Sequence, residues 1–90
     1  MQFAWIGFLK AGTDVDPEIL RQTTGFLQQP YIRIASVGAL RDTDHRRAGM
    51  MMIFDVEDRA AAEALVAESP FLRAGLYEQH HLFEYIDEIG

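Results

Sequence analysis

Two stretches, Phe3 to Leu9 and Gly49 to Val56, are apolar at almost every position. In an extended strand successive side chains point to opposite faces, so a run of this kind has to be covered on both sides. Phe3 and Trp5 point one way, Ala4 and Ile6 the other; Met51 and Ile53 oppose Met50, Met52 and Phe54. Both runs read as central strands of a sheet.

The segments around them supply the other elements. Asp16-Pro17-Glu18 is a helix start, with a capping acid, proline at the first helical position and an acid in the first turn. That helix should end by Gln29, because Pro30 disfavours helical geometry before it. Leu20, Thr24 and Leu27 form its expected packing stripe. Tyr31 to Leu40 reads as a second strand, joined through the polar turn Asp42 to Arg47 to the strand at Gly49–Val56. Asp58 caps a second helix with Ala61, Ala64 and Leu65 on its packing side, and Ser69-Pro70 stops it. A turn from Phe71 to Gly75 leads to a last strand, Leu76 to Ile86, which alternates more and suits an edge.

The order is βαββαβ. Two right-handed crossovers and one hairpin predict an α+β domain with a four-stranded antiparallel sheet, ordered 4-1-3-2, and both helices on one face. The helices then leave the second apolar face of the central strands bare. A chain of 90 residues buries only about 60–65% of its unfolded surface on its own. A homodimer packed sheet against sheet is the expected cover.

Composition narrows the function. Fourteen acids against eight bases give a net charge of −6 with no basic stripe, which argues against nucleic acid. Without cysteine there are no disulfides, thiolate metal sites or thiol nucleophiles. The amino terminus lacks the basic segment of a signal peptide and no run approaches the roughly 18 apolar residues of a membrane span. A cytoplasmic single domain without membrane contact is expected.

The candidate chemistry lies in a few residues. His80 and His81, being adjacent on a strand, face opposite ways and cannot chelate one metal together. No other ligand spacing is present, so neither metal nor cofactor is expected. His81 is expected to share a face with Tyr77, Phe83 and Tyr85. Asp42 is either a general base or a turn residue, and Ser69 either a nucleophile or a helix-end residue. The hairpin Arg41-Asp42-Thr43-Asp44-His45-Arg46-Arg47 gathers three arginines in an acidic chain. Arginine forks match carboxylates, so a small anionic, preferably aromatic ligand is expected where this hairpin meets Tyr77, His81 and Phe83.

Phe54-Asp55-Val56, the alanine-rich helix, Ser69-Pro70-Phe71 and Ala74-Gly75-Leu76-Tyr77-Glu78 together resemble the YCII-related family. Val37-Gly38-Ala39-Leu40-Arg41-Asp42 is similar to that family's Gly-Pro-x-x-Asp segment. The resemblance implies a ferredoxin-like, dimeric α/β barrel domain with a ligand cleft and a His–Asp pair, whose acid matches Asp42. The first helix has no histidine, Arg21 falls near the expected place, and the family's Asp-Pro step is Ser69-Pro70 here. Three functions follow. The first is a small-molecule-binding or vestigial enzyme domain in which Arg41, Arg47, Tyr77 and Ser69 hold the ligand. The second is a lyase or isomerase using Asp42 with His45 or His81, and the third a non-catalytic interaction domain.

Overall fold

A computed structural model describes residues 1–89. The elements are β1 (Gln2–Leu9), α1 (Pro17–Leu27), β2 (Arg33–Arg41), β3 (Arg47–Asp55), α2 (Arg59–Ala67), α3 (Pro70–Arg73) and β4 (Tyr77–Tyr85). The sheet is antiparallel with order β2-β3-β1-β4, the expected order read from its other edge. Both predicted caps form: Asp16 accepts from the Glu18 N–H at 2.7 Å, and Asp58 from the Ala61 N–H at 2.8 Å.

The core lies between the helices and one sheet face. Phe3, Trp5 and Leu9 of β1 are buried there with Met50, Met52 and Phe54 of β3, and Leu65, Val66 and Phe71 close the layer. On the other face Ile6 and Ile53 are half-buried, while Phe83 is 58% exposed.

Three local expectations are corrected. The packing side of α1 carries Ile19, Thr23, Phe26 and Leu27, whereas Leu20 and Thr24 are exposed. Thr23 tolerates burial because its hydroxyl donates to the Ile19 carbonyl at 2.8 Å. The packing side of α2 carries Ala62, Leu65 and Val66, and Ala64 faces solvent. Part of the turn after Ser69 is helical, because Pro70 takes the first position of the short α3.

Candidate functional site

The β2–β3 hairpin makes one wall of an open groove of about 890 Å³, through Arg41, Asp42, His45, Arg46 and Arg47. Lys10 and Asp14, from the segment between β1 and α1, lie on the facing side. Four of the chain's eight basic side chains therefore meet at one groove, against two acids. The hairpin tip is rigidly tied. Asp42 Oδ1 accepts from the backbone N–H groups of Asp44 (2.8 Å) and Arg46 (3.0 Å), and Arg41 donates to the His45 carbonyl at 2.8 Å. His45 holds a left-handed backbone, φ 61°, to close the turn.

Arg47 joins this groove to a buried cluster. Its guanidinium lies 5.3 Å from the centre of the Phe71 ring, and that ring lies 5.9 Å from Tyr77. Tyr77 packs edge-on to Trp5 at 5.0 Å. Both rings pass over Gly7, where an added Cβ would sit 2.6 Å from Trp5 Cη2 and 2.9 Å from Tyr77 Cδ1. Glycine is needed here for space.

Three buried polar atoms have no hydrogen-bond partner among the described residues: Arg47 Nε and the Tyr77 hydroxyl in this cluster, and Ser69 Oγ at the start of α3. Ser69 stands at the N-cap of α3, yet its hydroxyl makes no capping bond. Its residue is 5% exposed and that of Tyr77 is 8% exposed. Burial pushes the Tyr77 phenol well above its usual pKa, and the nearby Arg47 guanidinium pulls only partly the other way. Tyr77 is therefore a neutral hydroxyl throughout the physiological range. Orphaned buried groups cost roughly 1–3 kcal/mol each, so each calls for an explanation.

The structure brings Arg41, Asp42, His45 and Arg47 to the groove, and places Ser69 and Tyr77 in the buried layer beside Arg47 and Phe71. It does not bring His81 there. A register shift between Phe8 and Leu9, which pair with Gln79 and Tyr77, turns Tyr77 to the helix side. His81 stays on the open face, stacked on Phe83 at 6.0 Å and 16°. The expected shared face of Tyr77 and His81 is therefore corrected, and the aromatic neighbours of the arginines are Phe71 and Tyr77. Arg21 is exposed and pairs with Glu18, one turn earlier on α1.

Sequence reasoning passed over His80. Its Nδ1 accepts from the indole Nε1–H of Trp5 at 3.2 Å, and Trp5 is 1% exposed. A buried tryptophan needs an acceptor, and strand parity alone puts His80 on the helix side beside β1. His80 also lines a smaller cleft of about 460 Å³ between α2 and β4, with Arg59 and Glu63. Among the described residues no three histidine or acidic side chains converge as a metal site, and no helix is long and apolar enough to cross a membrane.

Comparison with known proteins places this geometry. The profile of the YCII-related domain matches residues 6–86. No curated protein matches the chain in sequence. Among solved structures, 5-chloro-2-hydroxyhydroquinone dehydrochlorinase from Burkholderia phenoliruptrix AC1100, in complex with 2,5-dihydroxybenzoquinone, superposes with a TM-score of 0.88 at 18% identity. That alignment covers 98% of this chain and 96% of the other. A NIPSNAP domain protein from Burkholderia xenovorans gives 0.53 at 18% identity, over 99% and 96% of the two chains. An antibiotic biosynthesis monooxygenase gives 0.52 at 18% identity, over 96% and 98%. At these identities the likeness is one of fold.

Proposed function

The chain belongs to the YCII-related domain family, and from that premise we propose that it is a small-molecule-binding domain of enzyme type whose ligand is a small aromatic anion. The observation that carries this reading is the gathering of Lys10, Arg41, Arg46 and Arg47 along one groove, with Arg47 Nε buried and without a partner among the described residues. An arginine Nε–H donates, and an anion's oxygen can accept from it. Phe71 offers an aromatic face next to the Arg47 guanidinium. The 2,5-dihydroxybenzoquinone bound to the Burkholderia phenoliruptrix dehydrochlorinase is likewise a small six-membered ring bearing hydroxyl oxygens.

A lyase or isomerase mechanism is the second reading, and it is favoured by Asp42 and His45 lining the same groove. In it Asp42 acts with His45 at the mouth while the buried donors hold the substrate. His81, on the far face, is outside that mechanism.

The test is a titration of the protein with benzoate followed by backbone NMR shifts. Changes should gather on residues 41–47 and 69–77 and weaken with added salt as the arginine contacts are screened. Arg47→Gln should weaken binding about tenfold or more, the loss of a charged hydrogen bond. Shifts confined to β4 residues 79–85 would move the site to the open face and end this reading.

A further inference from the structure

We propose that the cleft between α2 and β4 is a second ligand site, and that it takes a small neutral molecule carrying a hydrogen-bond acceptor beside a donor, the pattern of a carboxamide. The cleft and the hairpin groove share no residue, so this site stands or falls independently of the anion groove.

Two elements build the cleft. Asp58 caps α2 through the Ala61 N–H, which fixes the start of the helix and the phase of its faces. Arg59, Glu63, Val66 and Ala67 then follow at helical spacing, one stripe turned toward β4. On β4, His80 and Leu82 stand two residues apart and share the helix-side face, and Leu72 of α3 completes the lining. The volume of about 460 Å³ is that of a small-molecule pocket, and Val66, Leu72 and Leu82 give it an apolar wall.

The hydrogen bonds that the polar side chains have not yet made select the ligand. His80 Nδ1 accepts from the Trp5 indole N–H at 3.2 Å, so the neutral ring carries its proton on Nε2. Nδ1 is turned inward to buried Trp5, and the Nε2–H of this exposed residue is the edge left for the cleft. It is a donor and has no lone pair to offer. Arg59 is already engaged. Both its terminal nitrogens donate to the Leu82 carbonyl, at 3.1 and 3.4 Å, and its guanidinium lies 5.8 Å from the centre of the Phe3 ring. Glu63, one turn further along α2, makes no ion pair among the described residues, and its exposed side chain is free to turn toward a ligand. The cleft therefore offers one N–H donor and one carboxylate acceptor beside apolar carbon. Its single cation and single carboxylate cancel, whereas the groove sets four cations against two carboxylates. An anion entering the cleft would meet the Glu63 carboxylate while Arg59 is held by Leu82. A carboxamide suits both groups at once, its carbonyl accepting from His80 and its N–H donating to Glu63.

Benzamide is the probe, and benzoate, of nearly the same shape but charged, is its counterpart. In NMR titration benzamide should move the backbone signals of residues 59–67 and 80–82, and benzoate should leave them in place. The chain's single tryptophan is a local reporter, because its indole N–H is one hydrogen bond away from the cleft. Added salt should change benzamide affinity by no more than about twofold, since no ion is bound. Long-range proton–nitrogen correlations of His80 should find the proton on Nε2, with that signal shifting as benzamide binds. Glu63→Ala, at an exposed helix position, should keep the fold and weaken benzamide binding about tenfold, the loss of a charged hydrogen bond. Benzamide shifts confined to residues 41–47, or none at all, would overturn the proposal. Equal movement of residues 59–67 by benzoate would remove the selectivity for neutral molecules. A His80 proton on Nδ1, or unchanged affinity in Glu63→Ala, would remove one of the two hydrogen bonds on which the assignment depends and overturn it as well.

Discussion

Tyr77 shows how a single residue can be costly to the fold while standing as a candidate ligand donor. Its hydroxyl is buried without a partner, so removing it should help the empty protein. Tyr77→Phe is expected to raise unfolding stability by up to about 1 kcal/mol in urea titration, while weakening ligand binding. A large loss of stability would mean that the hydroxyl has a structural partner. The phenol also sets an alkaline limit. Its folded pKa is raised above the unfolded value of about 10. The unfolded chain therefore releases this proton first, and the contribution is full below about pH 10 and declines as the pH climbs above it. Stability of Tyr77→Phe should fall less steeply over that range.

His80 gives the opposite sign. Trp5 Nε1–H is buried and donates to His80 Nδ1, so His80→Phe strands a donor and should cost about 1–3 kcal/mol. The chain has one tryptophan, so its single indole N–H signal reports the loss directly. An unmoved indole signal in His80→Phe would refute the bond. Neither role was legible from residue type. Strand parity placed Tyr77 with His81 because it assumes an unbroken register, whereas His80, opposite Gly7 before the break, is on the helix side by parity but carries no mark of its task in residue type.

At the scale of elements, that register is broken once where it matters. The shift between Phe8 and Leu9 turns Tyr77 toward the helices, and Gly7 leaves the space its ring needs. Gly7→Ala would put a Cβ into the rings of Trp5 and Tyr77, an overpacking expected to cost about 1–3 kcal/mol. Thermal unfolding checks this, and an unchanged midpoint would show that the two rings can move aside freely.

Element order, both helix caps, the hairpin and the strand order were all readable, since each rests on local chemistry: Asp16-Pro17, Asp58, Pro30 and the two apolar runs. Leu27 and Leu65 fall on the packing sides as expected, and the rest of each helix face was read one residue out of phase. Leu20 and Ala64 looked like core positions by apolarity, but Thr23 satisfies its own hydroxyl on the Ile19 carbonyl and is buried in the face that Leu20 was expected to occupy. The hairpin site was half readable. The arginine cluster is plain in sequence, but its aromatic companion depends on the bulge and on Phe71 in α3, which pattern alone read as a turn.

At the scale of the whole molecule, one face of the sheet is left without helices. The helices cover Phe3, Trp5, Met50, Met52 and Phe54, while β1, β3 and β4 present Ile6, Met51, Ile53 and Phe83 on the far side. Met51 and Phe83 are exposed at 36% and 58%. Single exposed apolar residues are ordinary, but these four lie on three adjacent strands and form one surface, which soluble monomers rarely leave in water. We propose that a second copy of the chain covers it, with two sheets packed about 10 Å apart. Sedimentation equilibrium at micromolar concentration should then give about twice the chain mass of 10.2 kDa, falling toward one chain on dilution. Each protomer carries a net charge of −6, so association works against mutual repulsion and should tighten with moderate salt, unlike ligand binding at the arginine groove. Phe83→Glu puts a carboxylate onto this surface and should yield a folded monomer, because the side chain is outside the core that the helices close. A wild-type monomer at all concentrations would mean that this face meets a different partner, and a dimeric Phe83→Glu would place the contact elsewhere on the chain.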